Sequence, residues 1–580
     1  MVGKRKPQTT LFDVGNVFDV RLDPATFCGQ LAAAAPRLFK DEDFQECYSQ
    51  SGKGRPSIAP SLMALLVLLK EYSGCSDEEA VERSAYDLRW CLVLGKPAGE
   101  PLCVKSTLQL FRAQLDLHEK VRLVLQRSIQ EARRSGLLKP GTLRVAVDTK
   151  PIFGRGALKD TYNLLDTGLR RLCQALAKTE GAGAKEWAER QDLGRYFGRS
   201  LKGSTDIDWS DEPARHAFLT EVVADARRLL RLAGARLSEL AEDGRTEVRA
   251  AADLLEQLLL QDVEESDGSA RIREGHEKGR FPSASDTDVR HGRKSSSKVF
   301  DGHKASVVVD TDSGIILGTD VLAGDAPDAT RLLEQIETAE GNSGTQIHET
   351  VGDCAYGDGE TRREFAEAAR ALTARVPGES SRPGLFAKSQ FVLHWEAEAV
   401  VAVTCPGNHT SHWRTTQRDG TLTFKFADWC PHCPLRKQCT TAVTGRTVRV
   451  HAQEALIEAA RERQRSVAGR AALHARVTVE HALSRLAGLG IGQARYVGRK
   501  KTQIQLALAA AVANLRRVWN WEQAQGREDP PGWRNTPGTG IGPRLRGFTG
   551  RWIPGGSPIQ ALLTSVGYAP LLPRYAGATR

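Results

Sequence analysis

Apolar positions recur at helical spacing from Ala59 to Lys120. Pro60 and Ser61 open LMALLVLLKEY, Gly74 closes it, and Ser76 with Glu79 three residues on reads as a capping box heading SDEEAVERSAYDLRWCLVL. With KSTLQLFRAQLDLHEKVRLVLQRSIQEARRSG behind it, this predicts an all-helical N-terminal domain over 1–136, either a plain bundle or one holding a helix-turn-helix. After Gly136 and Pro140 the pattern changes. LRVAVD (Leu143–Asp148) is a short β-branched apolar run suited to a buried central strand, and it ends in a carboxylate. Residues from about 160 to 298 read as a helical insertion whose polar last part, 264–298, is expected to be a loop.

Two further runs, Lys304–Asp310 and Ile315–Leu322, form a hairpin around Asp312, Ser313 and Gly314. Pro327 starts a helix, Gln346–Asp353 is a strand that again ends in an acid, ETRREFAEAARA is a helix, and Leu372–Pro377 is a last strand. The order β, insertion, β-β, α, β, α, β predicts an α/β fold over 137–377, a mixed sheet flanked by helices. Residues 378–452 carry short strands and a cysteine cluster. The segment 453–525 returns to helix, with a long stretch from Glu454 to Leu489 and another through TQIQLALAAAVANLRRVWNW. The Gly/Pro/Arg-rich tail, 526–580, is expected to hold little fixed structure.

Charge adds a partner class. The 580 residues hold 81 Lys and Arg against 71 Asp and Glu, a net +10, which suits a polyanion such as double-stranded DNA. No apolar run reaches the roughly 18 residues of a membrane span, and the N-terminus lacks a signal peptide's apolar core, so a cytoplasmic, nucleoid-associated protein with no membrane partner is expected. No G-x-x-x-x-G-K-[ST] loop is present, so no nucleotide cofactor is expected. Four of the 11 cysteines cluster as Cys405, Cys430, Cys433 and Cys439. A C-x₂-C turn with two further thiolates suits tetrahedral Zn²⁺ in a zinc-ribbon-like module, with His409 and His432 as reserve ligands; the alternative is four reduced, unliganded thiols. Four protein ligands leave no place for a substrate water, so such a zinc would be structural.

Three acids stand where the predicted elements would expose them: Asp148 and Asp353 at strand ends, and Glu480 in the helix HARVTVEHALSRLAGLG. Phosphodiester chemistry uses two divalent cations about 3.5–4 Å apart, and three carboxylates are a fitting hard-oxygen set for Mg²⁺ or Mn²⁺. Among 71 acids many triples exist, so spacing alone is weak. Asp358 and Asp310 rival Asp353, and each acid has a structural alternative as strand cap, turn former or, for Glu480, partner of Arg476 at i, i+4. His303 and His481 read as neighbours of the site.

The surroundings of the acids are distinctive: VAVDTKPIFGRGALKDTYNLL, SDTDVRHGRKSSSKVFDGHK, VGDCAYGDGETRREF and RVTVEHALSRLAGLGIGQARYVGRKKTQIQLALAAAVANLRRV, in that order. From about Arg55 to Trp519 the chain resembles bacterial DDE transposases of insertion sequences, of the insertion-sequence 1182 group. The resemblance implies an RNase H-like core with Asp148, Asp353 and Glu480 as metal-holding catalytic acids, cleavage at the element's own ends, 3′-OH strand transfer into target DNA, and a synaptic homodimer. Relatives often carry a Tyr three residues before the Arg that precedes the Glu, and a Lys seven after the Glu. Arg476 matches the Arg, but the other positions hold Leu473 and Ala487, leaving Arg485 or Lys500 as candidates to take over their grip on DNA. Arg293, Lys294 and Lys304 before the hairpin, and Arg495, Arg499, Lys500 and Lys501 after the third acid, are expected phosphate contacts. The competing readings are a metal-dependent nuclease that joins nothing, and a domesticated or inactive relative that only binds DNA.

Overall fold

The computed structural model describes residues 2–5, 21–48, 56–266, 268–275, 279–294, 297–378 and 384–526, and everything below concerns these. The expected tail lies outside them from residue 527 on.

Six N-terminal helices, α1 (Phe27–Leu38), α2 (Pro60–Ser73), α3 (Asp77–Tyr86), α4 (Leu88–Leu94), α5 (Lys105–Leu117) and α6 (Lys120–Arg134), bury nearly every residue of MALLVLL. Gly74 ends α2 in the left-handed region at φ +68°, where a side chain would be strained. Ser76 caps α3 by accepting from the Glu79 N–H at 3.1 Å. The reciprocal half of the capping box is not made: the Glu79 carboxylate turns outward to Arg83, 2.6 Å away, an i, i+4 pair on the exposed face.

Strand β1 (Leu143–Phe153) lies at the centre of the sheet. Val145, Ala146 and Val147 are fully buried, as both faces being covered requires. The strand does not end at Asp148. It runs five residues further because β5 (Val299–Asp310) pairs with it antiparallel all the way, with Asp148 opposite Val307 and Phe153 opposite Gly302. What stops near Asp148 is the other neighbour: β7 (Ile347–Gly352) pairs parallel with β1 only as far as Ala146 with Val351. Beyond that point no strand pairs with that side of β1 until Phe153, whose N–H donates to the Gly492 carbonyl and whose carbonyl accepts from the Ala494 N–H. With β6 (Ile316–Ala323) and β8 (Ala371–Ala374) the strand order is β6-β5-β1-β7-β8, antiparallel through β6, β5 and β1 and parallel through β1, β7 and β8. β4 (Arg290–Arg293) continues the β6 edge along the first residues of β5.

The insertion packs around its own core, built on α7 (Thr161–Thr179), α8 (Glu212–Arg236) and α9 (Glu242–Asp262), with Trp187 and Tyr196 fully buried. Its polar last part is not a plain loop. It holds the hairpin β2 (Val263–Ser266) and β3 (Ser269–Ile272) and then β4, short strands paired through backbone with mostly exposed side chains, so no apolar alternation marks them. The helix after the β5-β6 hairpin, α10 (Leu332–Ser343), starts five residues later than Pro327 suggests, because Arg331 takes a left-handed φ of +56°. α11 (Gly359–Glu367) follows β7. Strands β9 (Val392–Glu396), β10 (Ala399–Thr404) and β11 (Thr410–Ser411) form one small sheet, and β12 (Arg414–Thr416), β13 (Leu422–Lys425) and β14 (Thr447–Val450) another, sharing a third core.

The expected long helix from Glu454 is three: α12 (Glu454–Arg465), α13 (Val467–Ala475) and α14 (Val477–Gly488). Ser466 breaks the first junction, its backbone extended at ψ 156° and its hydroxyl accepting from the Gly469 N–H at 3.0 Å. The last helix, α15 (Arg499–Gln525), is almost continuously buried from Ile504 to Leu515. Its N-terminus is held by the insertion's polar segment: Asp286 accepts from the Gly498 N–H at 3.0 Å and Asp288 from the Arg499 N–H at 2.9 Å. Asn514, fully buried in it, accepts from the Ile316 N–H and donates to the Ile316 carbonyl, both at 2.8 Å, tying α15 to β6. The N-terminal helices, the sheet, α14 and α15 share one hydrophobic core.

Candidate active site

Three acids far apart in the chain meet where β1 loses its parallel neighbour. Asp148 projects from β1 at that point. Asp353 is the first residue after β7, and its carboxylate accepts from the Ala355 N–H at 2.8 Å, which fixes the turn Cys354–Tyr356. Glu480 lies in the first turn of α14, which crosses β1 and β5. All three line one cleft of about 430 Å³, together with Lys150, Arg293, Lys294, Lys304, Asp328 and Arg476.

Arg476 stands between two of the acids. Its Nη1 is 3.1 Å from Asp148 Oδ2, and its Nη2 donates to Glu480, one helical turn on. Burial raises the Asp148 carboxyl above the usual range; the Thr149 N–H, 2.7 Å from Oδ1, and Arg476 pull it back, while Asp353 pushes it up again. A group left protonation-prone by its surroundings is one that a cation would hold ionised. Lys304 is anchored rather than free: its Nζ donates to Asp328 Oδ1 and to the Ala326 carbonyl, each at 2.7 Å. Beneath the cleft Tyr356 is fully buried. Burial, with Asp148, Asp328 and Asp353 nearby, raises its phenol well above the ordinary value and keeps it neutral.

The rivals of Asp353 are elsewhere. Asp310 accepts from the Ser313 N–H at 2.8 Å in the β5-β6 turn, and Asp358 caps α11 by accepting from the Thr361 N–H at 2.9 Å. His303 is buried on β5, with its pKa lowered chiefly by burial, and His481 is exposed; neither lines the cleft. Two cleft residues, Lys150 and Asp328, and Tyr356 beneath the cleft escaped the sequence reading. Lys150 had a signal, since it sits two residues past Asp148 and so on the same face of the strand. Asp328 and Tyr356 had none, because only the tertiary fold turns them toward the acids.

Of the expected phosphate contacts, Arg293, Lys294, Lys304 and Arg476 line the cleft, and the later cluster does not. Arg495 is tied to Glu71 of α2 at 3.0 Å, and Lys500 pairs with Asp116 of α5 at 3.2 Å. Arg499 opens α15 beside Asp288, and Lys501 lines a separate cavity between the N-terminal helices and α15 with Lys70, Asp77, Arg112 and Tyr496. Arg485 points away from the cleft and donates to the Gly314 carbonyl.

The four clustered cysteines border one small cavity with His409 and Arg446, while His432 stays outside it. The Arg446 N–H donates to Cys430 Sγ at 3.3 Å. Burial raises the Cys439 thiol, Arg446 lowers it, and the other three cysteines raise it further, the mutual repulsion of neighbouring thiolates. Gly407 packs closely on the thiols: a Cβ on it would lie 3.3 Å from Cys433 Sγ and 3.6 Å from Cys405 Sγ. None of the 11 cysteines is in a disulfide. Among the described residues no group of three or more His, Cys, Asp or Glu side chains stands at separations that would hold a metal ion; at the acids, the Arg476 guanidinium fills the space between Asp148 and Glu480.

Two family models match the chain. Residues 404–519 match the transposase DDE domain, and residues 16–114 match a transposase domain, DUF772. Glu480 and the four cysteines fall within the first match; Asp148 and Asp353 fall between the two. Together the matches support a DDE-type transposase, an enzyme of transposition whose substrate is DNA. No curated protein and no solved structure matches the chain.

Proposed function

We propose that the chain is a DDE transposase of the insertion-sequence 1182 group that cuts DNA at the ends of its own element and joins the freed 3′-OH to target DNA. The observation that carries this reading is the convergence of Asp148, Asp353 and Glu480 on one cleft with a basic rim. The strand order β6-β5-β1-β7-β8, three antiparallel strands followed by two parallel ones, supports an RNase H-like core.

Asp148, Asp353 and Glu480 would hold the divalent cations, Mg²⁺ or Mn²⁺, and the donor set fits them, since all three offer hard carboxylate oxygens. Bound there, the metals would activate the attacking oxygen and stabilise the leaving one. The chain's own residues do the rest. Lys150, Arg293 and Lys294 offer donors to phosphate oxygens, and Lys304, fixed by Asp328, offers a positive charge at a set place. Arg476 neutralises two acids until a stronger cation takes them, and the helix break at Arg476 sets the turn from which Glu480 projects. No nucleotide is required, because each transesterification exchanges one phosphodiester for another. A synaptic homodimer follows from the same resemblance, and nucleoid association from a DNA substrate; among the described residues no helix is long and apolar enough to cross a membrane. In the module 378–452 the four thiols would hold a structural Zn²⁺, in keeping with their common cavity.

Glu480→Gln tests the assignment of the third acid. It should leave DNA binding in gel-shift titrations unchanged and lower metal-dependent cutting by more than about 100-fold, the upper end of what losing a mere support to a metal ligand costs. Cutting near the wild-type rate would remove Glu480 from the site.

A further inference from the structure

The turn joining β5 to β6 gathers two arginines from different helices. Arg485 of α14 donates through Nη2 to the Gly314 carbonyl, and Arg517 of α15 donates through Nε to the Ser313 carbonyl at 3.1 Å. Gly314 lies between them in the left-handed region, at φ +72°; a Cβ there would be 3.7 Å from Arg517 Nε and 3.8 Å from Arg485 Nη2. Two guanidinium groups therefore meet adjacent carbonyls of one turn, Ser313 and Gly314.

Neither has a carboxylate partner among the described residues. Elsewhere in the core several half-buried arginines meet an acid: Arg476 meets Asp148, Arg495 meets Glu71, and Arg144 and Arg463 share Glu349, while Arg362, like this pair, donates to backbone carbonyls alone. The two acids of this turn are turned to the turn itself. Asp310 accepts from the Ser313 N–H and hydroxyl, and Asp312 lies beside the Thr311 hydroxyl at 3.4 Å. The Arg485 guanidinium is lowered to about 10, first by burial and then by the like charge of Arg517, with no acid to raise it. Its Nε is buried and has no hydrogen-bond partner among the described residues. Two adjacent, partly desolvated cations that satisfy only carbonyl dipoles are electrostatically incomplete, and an oxyanion with several acceptor oxygens is the group that completes them.

We infer that Arg485 and Arg517 form an anion clamp, distinct from the acid cleft, that takes a phosphate of the DNA backbone. The source of that phosphate rests on the transposase reading; the anion site does not. The pair carries no base-reading geometry, so its contribution to binding is independent of sequence.

The test uses the full-length protein, inorganic phosphate and a labelled duplex. Arg517→Gln is the primary variant, because Arg517 makes a single hydrogen bond to the fold and its loss leaves the turn otherwise tied by Thr478 to the Thr311 carbonyl at 3.0 Å. Arg485→Gln with Arg517→Gln is the second. Phosphate should raise the melting temperature of the wild type above that in chloride of equal ionic strength, and the variants should lose this rise. In duplex titrations the variants should show a salt slope shallower by about one phosphate contact. Loss of the phosphate effect in a protein whose wild type binds no DNA would keep the anion site and overturn the transposase reading instead. A variant that folds and keeps both the wild-type phosphate response and the wild-type slope would overturn the clamp.

Discussion

Single side chains in this protein show two uses of the same ion-pair chemistry. At Glu349 the pairing is closed. The carboxylate, on β7 itself, is buried and accepts from Thr373, Arg463 and Arg144, each at 2.6 Å, and these bonds hold its pKa at about 2 in spite of burial. A depressed carboxyl stabilises the fold fully above its unfolded value and loses that contribution as pH falls through the folded one. From the ordinary glutamate pKa down to about 2 this amounts to roughly 3 kcal/mol at neutral pH. Glu349→Gln should therefore melt well below the wild type at pH 7, with the gap closing between pH ~4 and ~2; a gap constant across that window would contradict the pairing. At Asp148 and Glu480 the pairing is open, because one arginine serves two acids at the wall of a cleft. The first arrangement builds structure, and the second leaves two carboxylates sharing one guanidinium at the cleft wall.

Among the elements, what was legible in the sequence follows from how each one earns its stability. The first half of β1 was readable because Val145, Ala146 and Val147 are buried and read as an apolar run before Asp148, whereas β7, with only Ile347 and Val351 as large apolar residues, was marked chiefly by the acid that follows it. The hairpin β2-β3 and strand β4 were not, because backbone pairing rather than side-chain burial holds them. The break at Ser466 was missed because a serine cap inside helical periodicity looks like one more polar position. In the basic run Arg495–Lys501, Arg495 and Lys500 pair with acids of α2 and α5 and the Arg499 backbone N–H donates to Asp288 of the insertion, partners that only the fold brings near. The cysteine module is the element whose reading can be checked alone. Serine at Cys430 and Cys433 should take bound zinc from about one per chain to near none and lower the melting temperature. Unchanged zinc content, or none in the wild type, would leave four thiols around a cavity and no ribbon.

On the scale of the molecule, one core joins the parts that the sequence separates. The two segments that match transposase families, 16–114 and 404–519, bracket the strands that carry Asp148 and Asp353, and α15 from the second segment packs against α6 and β6. The acids are thus assembled from three distant stretches only when this core is complete, while the insertion and the cysteine module keep cores of their own. The central claim is that this assembled cleft cuts DNA. The direct measurement is strand cleavage of DNA spanning both flanks of the encoding gene, with Mg²⁺ or Mn²⁺, comparing wild type with Asp148→Asn. Discrete cuts at the flanks that need the metal and vanish in the variant are the predicted result. Tight binding of the same DNA without cuts, or cuts that persist in Asp148→Asn, would contradict it and return the acids to a structural role.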